Sequence, residues 1–137
     1  MTTALACVSI AVQSLEDAIG DFKKLGFEPM GPVHESELGF ALRWQAVGNE
    51  TGLVFELIAP IGDDGPIARF LRREGEGVYQ VRLVTSELDG VVNGMEGRGV
   101  RVVRPPAEDQ GGLAGRIAWV HPSCARGVLL ELVETDE

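Results

Sequence analysis

The feature that most constrains this chain is an internal duplication. Laying "CVSIAVQSLEDAIGDFKKLGF" (residues 7–27) over "QVRLVTSELDGVVNGMEGRGV" (residues 80–100) requires no gap. Val8 meets Val81, Ile10 meets Leu83, Leu15 meets Leu88 and Gly26 meets Gly99, while Ala18, Ile19 and Phe22 fall on Val91, Val92 and Met95. That is a strand followed by the apolar stripe of an amphipathic helix, written twice. Further along, at an offset larger by two residues, "ALRW" (41–44) matches "RIAW" (116–119) and "LVFELI" (53–58) matches "VLLELV" (128–133). Trp44 then lies over Trp119, and Glu56 over Glu131. Each copy reads strand, helix, three strands. The predicted fold is a single α+β domain of tandem βαβββ modules, about residues 1–60 and 77–137, with a linker over 61–76.

Local signals set the elements. Ser14 is placed to cap a helix from about Leu15, and Gly26 to end it. Strands are expected near 4–12, 27–33, 40–47 and 53–59, and Pro66 suits the first position of a short helix in the linker. In the second copy strands are expected near 78–85, 100–104, 116–121 and 128–133. The helix between them, near 87–97, carries Gly90 and Gly94, each costing about 1 kcal/mol relative to alanine.

Composition narrows the function. A 137-residue chain with 45% hydrophobic content can bury a core without a disulfide framework or structural metal. A formal charge of −9 argues against nucleic acid, whose phosphates need a basic footprint. The arginine groups 69/72/73 and 98/101/104 read as solvated faces. Cys7 and Cys124 have neither disulfide-framework nor CxxC spacing, which points to an intracellular, cytoplasmic protein with its thiols unpaired. The opening "MTTALACVSIAV" lacks a basic leader and reads as a first strand; no apolar run is long enough to span a membrane.

The costly residues are Glu56 and Glu131, each inside an apolar strand. Alternation along a strand puts Val8, Ile10 and Val12 toward the helix and Cys7, Ser9 and Ala11 on the other face. In the repeat, Gln80, Arg82 and Val84 take that second face, and Glu56 and Glu131 are likewise turned away from Phe55, Leu57, Leu130 and Leu132. Two copies packed about a pseudo-twofold axis would gather Cys7, Glu56, Gln80 and Glu131 into one constellation. Facing carboxylates repel, so a cation, a shared proton or a guanidinium must relieve them. The plainer reading is two solvent-facing glutamates paired with nearby arginines, with Cys7 a small buried hydrophobe and Gln80 satisfying the backbone.

The stretches "SIAVQSLEDAIGDFKKLGFE", "ELIAPIGDDGPIARFLRREGEG" and "RIAWVHPSCARGVLLELVE" resemble the vicinal oxygen chelate superfamily of glyoxalases, bleomycin-resistance proteins and extradiol dioxygenases, and most of all its methylmalonyl-CoA epimerases. The resemblance implies curled mixed sheets around a central cavity and a divalent metal held from the first and last strand of each module. Those places are Cys7, Glu56, Gln80 and Glu131. The epimerase pattern has histidine at 7 and 80, so this chain keeps the acidic pair and loses both imidazoles. Two carboxylates and an amide suit only a weakly held hard ion such as Mg or Mn, and the other outcome is no metal at all. Where epimerases carry a second carboxylate on a middle strand, the nearest position here is Leu42.

Three functions follow from the resemblance. The first is an epimerase or isomerase of an acyl thioester with a degenerate metal site, in which one of Glu56 and Glu131 removes a proton α to a carbonyl, the other returns one on the opposite face, and Arg82 or a weakly held metal stabilises the enolate. The second is a non-catalytic binder of the bleomycin-resistance type that holds a small molecule between Trp44 and Trp119. The third is a glyoxalase-type metalloisomerase with an unusual ligand set. Cys7, Gln80, Arg82, Trp44 and Trp119 are expected to line the ligand site, an acyl-CoA is the expected partner, and the family habit implies a homodimer. His121 belongs to a turn before the last strand, and His34 is assigned no role.

Overall fold

A computed structural model of the chain describes residues 3–36, 42–105 and 116–136. Among them, eight strands and three helices follow in the order β1 (Ala4–Ala11), α1 (Leu15–Lys24), β2 (Glu28–Ser36), β3 (Leu42–Gly48), β4 (Val54–Pro60), α2 (Pro66–Glu74), β5 (Gly77–Thr85), α3 (Leu88–Gly97), β6 (Val102–Val103), β7 (Ile117–Val120) and β8 (Leu129–Glu134). Phe40 and Ala41, expected at the head of the third strand, lie outside the described residues. The strands fall in two sets of four, β2-β3-β4-β1 and β5-β8-β7-β6. In each set the first strand of the copy runs parallel to the last, and the remaining pairs are antiparallel. This is the α+β arrangement the duplication called for. The chain divides into two compact units, Cys7–Tyr79 and the remainder.

Repeat-equivalent residues build the two cores. In the first unit Leu15 and Ala18, with Ile19 and Phe22, pack on Val47, Leu57 and Phe55. In the second, Leu88, Val91 and Val92 pack on Ala118, Val120 and Leu132. Full burial of a leucine such as Leu15 or Leu57 contributes about 1.5–3 kcal/mol. The helix starts differ. Ser14 Oγ accepts from the Asp17 N–H at 3.2 Å, whereas α3 has no side-chain cap of its own and its Leu88 N–H donates to Glu134 Oε2 of β8 at 3.0 Å. Both helices end before a glycine in the left-handed region, Gly26 (φ 96°) and Gly99 (φ 86°), which is why the repeat preserves glycine there.

The linker contributes more than a connection. Helix α2 buries Ile67 and Leu71 against Ala11 and Ile58, with Leu42, Trp44, Phe70 and Tyr79 around them. Strand alternation places Ala11 and Ile58 on the face that carries Ser9 and Glu56, so α2 closes one end of that face.

Strand register corrects one sequence match. Ser9 pairs with Glu56 and Arg82 with Glu131, as the repeat requires. On the other side of the carboxylates, however, Glu56 pairs with Ala46 while Glu131 pairs with Trp119. Trp119 is therefore equivalent to Ala46, and Trp44 to Ile117. The two extra residues of the second copy lie in the β7–β8 connection around "HPSCARG", not ahead of β7. A shift of two keeps every side chain on its own face, so apolar alternation cannot detect it.

Candidate functional site

In the first unit the site face is carried by β1 and β4. Ser9 is fully buried, and its Oγ donates to Glu56 Oε1 at 3.2 Å; Glu56 itself is only 5% exposed. A carboxylate taken so far out of water needs such donors. Cys7, two residues before Ser9 on the same strand, is buried, and neither cysteine is in a disulfide. Across the sheet Ala46 is the β3 neighbour of Glu56, a side chain too small to cover it. Trp44 stands two pairs further along, opposite Ile58, stacked on His34 with ring centroids 4.3 Å apart and packed into the α2 cluster. It is a wall of the face, fixed by packing, and His34 has a role in holding it. Leu42 belongs to the same apolar cluster.

In the second unit the carboxylate is Glu131. Arg82, Glu131 and Trp119 lie side by side on β5, β8 and β7. The Arg82 guanidinium donates from Nε to Glu131 Oε1 at 2.5 Å, and the Trp119 indole N–H donates to Oε2 at 3.0 Å. Both oxygens of Glu131 are thus engaged by donors from the flanking strands, and the residue is buried. Gln80, also buried, sits two residues before Arg82 on the same face. His121 lies away from this row, where its Nδ1 accepts from the Ser123 N–H at 3.2 Å in the turn Pro122–Cys124.

Within each unit, then, the expected residues share one face: Cys7 with Glu56 in one, Gln80, Arg82, Glu131 and Trp119 in the other. The sequence reading passed over Ser9. Its signal was present, since Ser9 occupies in the first copy the slot that Arg82 occupies in the second.

The four family metal places do not fit a divalent ion as they stand. Among the described residues, no three His, Cys, Asp or Glu side chains gather into a candidate metal cluster. More directly, an ion bound to Glu131 Oε1 would meet the guanidinium already there. At a separation of about 4 Å and an effective dielectric constant of about 20, a double charge against a single one costs on the order of 8 kcal/mol. A neutral amide at 80 and a thiol at 7 that must first deprotonate offer little to offset it.

Duplicated βαβββ units with a buried carboxylate on the last strand of each define a class of α+β proteins. The model of the Glyoxalase/Bleomycin resistance protein/Dioxygenase superfamily matches residues 8–118, and the chain belongs to that superfamily. It is similar to the mitochondrial methylmalonyl-CoA epimerase of Bos taurus, 32% identical over 128 residues that cover 91% of this chain and 70% of the relative. Among solved structures it is similar to methylmalonyl-CoA epimerase from Mycobacterium tuberculosis, with a TM-score of 0.81 and 32% identity over 95% of this chain and 86% of the other. A methylmalonyl-CoA epimerase in complex with methylmalonyl-CoA and NH4+ superposes with a TM-score of 0.80 at 25% identity, covering 98% of this chain and 96% of that one.

Proposed function

We propose that this protein is an epimerase of acyl-CoA thioesters whose α-carbon lies between two carbonyl groups. The observation that carries the reading is the similarity to methylmalonyl-CoA epimerases along nearly the whole chain, joined to a buried carboxylate on the equivalent strand of each copy. The sequence reading has one glutamate remove the proton and the other return it; here the two take different parts. Glu131 is committed to Arg82 and Trp119, so it serves to position the guanidinium. Glu56 is the base: it takes the α-proton, and the electron pair of the broken C–H bond moves onto the thioester oxygen as an enolate. The positive charge of Arg82 stabilises that oxygen. Glu56 passes its proton to solvent, and a solvent proton returned to the opposite face completes inversion.

This mechanism requires exchange of the substrate α-hydrogen. Incubating the protein with methylmalonyl-CoA and related acyl-CoAs in deuterated water should incorporate one deuterium at the α-carbon. Glu56→Gln should slow exchange by about 10²–10⁴-fold, the usual worth of a positioned base. Absence of exchange on every thioester offered contradicts the proposal.

A second reading has one observation in its favour. Leu42, nearest to the place where epimerases carry a further carboxylate, is packed into the α2 cluster, which suits a binding protein. Tryptophan quenching by acyl-CoA with no exchange would select it. The family resemblance and the cysteine usage support a cytoplasmic homodimer, which sedimentation of the purified protein tests; no helix among the described residues is long and apolar enough to cross a membrane.

A further inference from the structure

We propose that Arg82 takes the place of the divalent metal on Glu131, so that this chain holds a fixed organic cation where its superfamily holds an exchangeable ion. Three observations carry the inference, and none depends on which reaction the protein performs. First, the partner slots are equivalent in register but not in chemistry. Ser9 is the strand partner of Glu56 and Arg82 that of Glu131, so the same slot carries a hydroxyl in one copy and a guanidinium in the other. Second, the guanidinium and the Trp119 indole between them occupy both oxygens of Glu131. Each oxygen keeps a second lone pair, so the obstacle to an ion is the guanidinium's charge, which a cation on Oε1 would meet at close range. Third, Trp119 is the β7 partner of Glu131 in the slot where the first copy has Ala46. The second copy thus departs from the first on both flanks of the same carboxylate. One substitution on a flank could be incidental, whereas here both flanks supply a donor to the same carboxylate, one to each oxygen.

The inference makes Arg82 the residue that decides metal selectivity. Full-length protein is dialysed against EDTA, then titrated with MnCl2 and CoCl2 by calorimetry, with tryptophan emission recorded alongside because Trp119 touches Glu131. Wild type and Arg82→Lys, which keeps the charge, should bind neither ion more tightly than about 1 mM. Arg82→Gln and Arg82→Met remove the cation and free Oε1; at least one should gain roughly tenfold or more in affinity, with a change in Trp119 emission. Circular dichroism and a cooperative melt identify the variants that fold. One equivalent of metal on wild type at low micromolar affinity overturns the inference. It is equally overturned if folded Arg82→Gln and Arg82→Met bind metal no better than wild type. The titration reads affinity and not turnover, so its failure is distinguishable from failure of the epimerase reading.

Discussion

Replacing Arg82 by methionine tests how Glu131 is held. The substitution keeps an apolar stem of similar reach and removes the guanidinium. The pair it breaks is short, 2.5 Å, with side chains 26% and 11% exposed, so it lies between two known regimes. Exposed ion pairs contribute about 0–1 kcal/mol, while stripping one partner from a buried pair costs about 3–5 kcal/mol, because the survivor is left as an unpaired charge. Glu131 is close to the buried limit and Arg82 is not, which sets the expected loss near 2 kcal/mol. For a chain of this size that lowers the melting temperature by roughly 6–8 °C. In urea it lowers the midpoint by about 1 M at an unchanged slope. The double variant Arg82→Met/Glu131→Leu leaves no unpaired charge, although the Trp119 N–H loses its acceptor. It should therefore lose less than the sum of the two single variants by about 1–2 kcal/mol. Additivity within about 0.5 kcal/mol, or a single variant as stable as wild type, would refute the claim that Arg82 neutralises a buried Glu131.

Three further outcomes follow from other parts of the fold. Ser9→Ala removes a buried donor from Glu56; it should cost about 1–3 kcal/mol in urea unfolding and slow α-hydrogen exchange less than Glu56→Gln does. Gly48→Ala would put a Cβ 2.4 Å from Met30 Sδ and 3.0 Å from the Leu53 carbonyl oxygen, so a loss of about 1–3 kcal/mol is expected in the same assay. The Arg43 side chain, through its hydrogen bond, holds the Glu16 carboxyl below its ordinary value of 4.5. Its small stabilisation is present above that pH and is lost as pH falls through the lowered folded value; Arg43→Met should flatten this part of the acid-unfolding curve.

Much of this architecture was legible in the residues. The strand–helix repeat, the Ser14 cap, the Pro66 helix and the placement of Glu56 and Glu131 in last strands all rest on local chemistry and on periods of 3.6 and 2, which one sequence displays directly. Two things were hidden, each for a physical reason. The equivalence of Trp119 with Ala46 depends on strand register, and a slip of two residues leaves the alternating pattern unchanged. The contacts of Glu131 depend on which donors reach it from neighbouring strands. Ser9 and Arg82 occupy the same repeat slot, but only paired strands reveal that the slot faces the glutamate. The cap that Glu134 lends to α3 was hidden likewise, because the two residues are 46 positions apart.

The most direct test of the account measures the interconversion of the two methylmalonyl-CoA epimers by wild-type protein in excess EDTA, and again after addition of Co²⁺ or Mn²⁺. Turnover is expected with chelator present, at a rate that the added ions leave unchanged. No turnover in either condition, or turnover that appears only with metal, would rule out metal-free epimerisation by this protein.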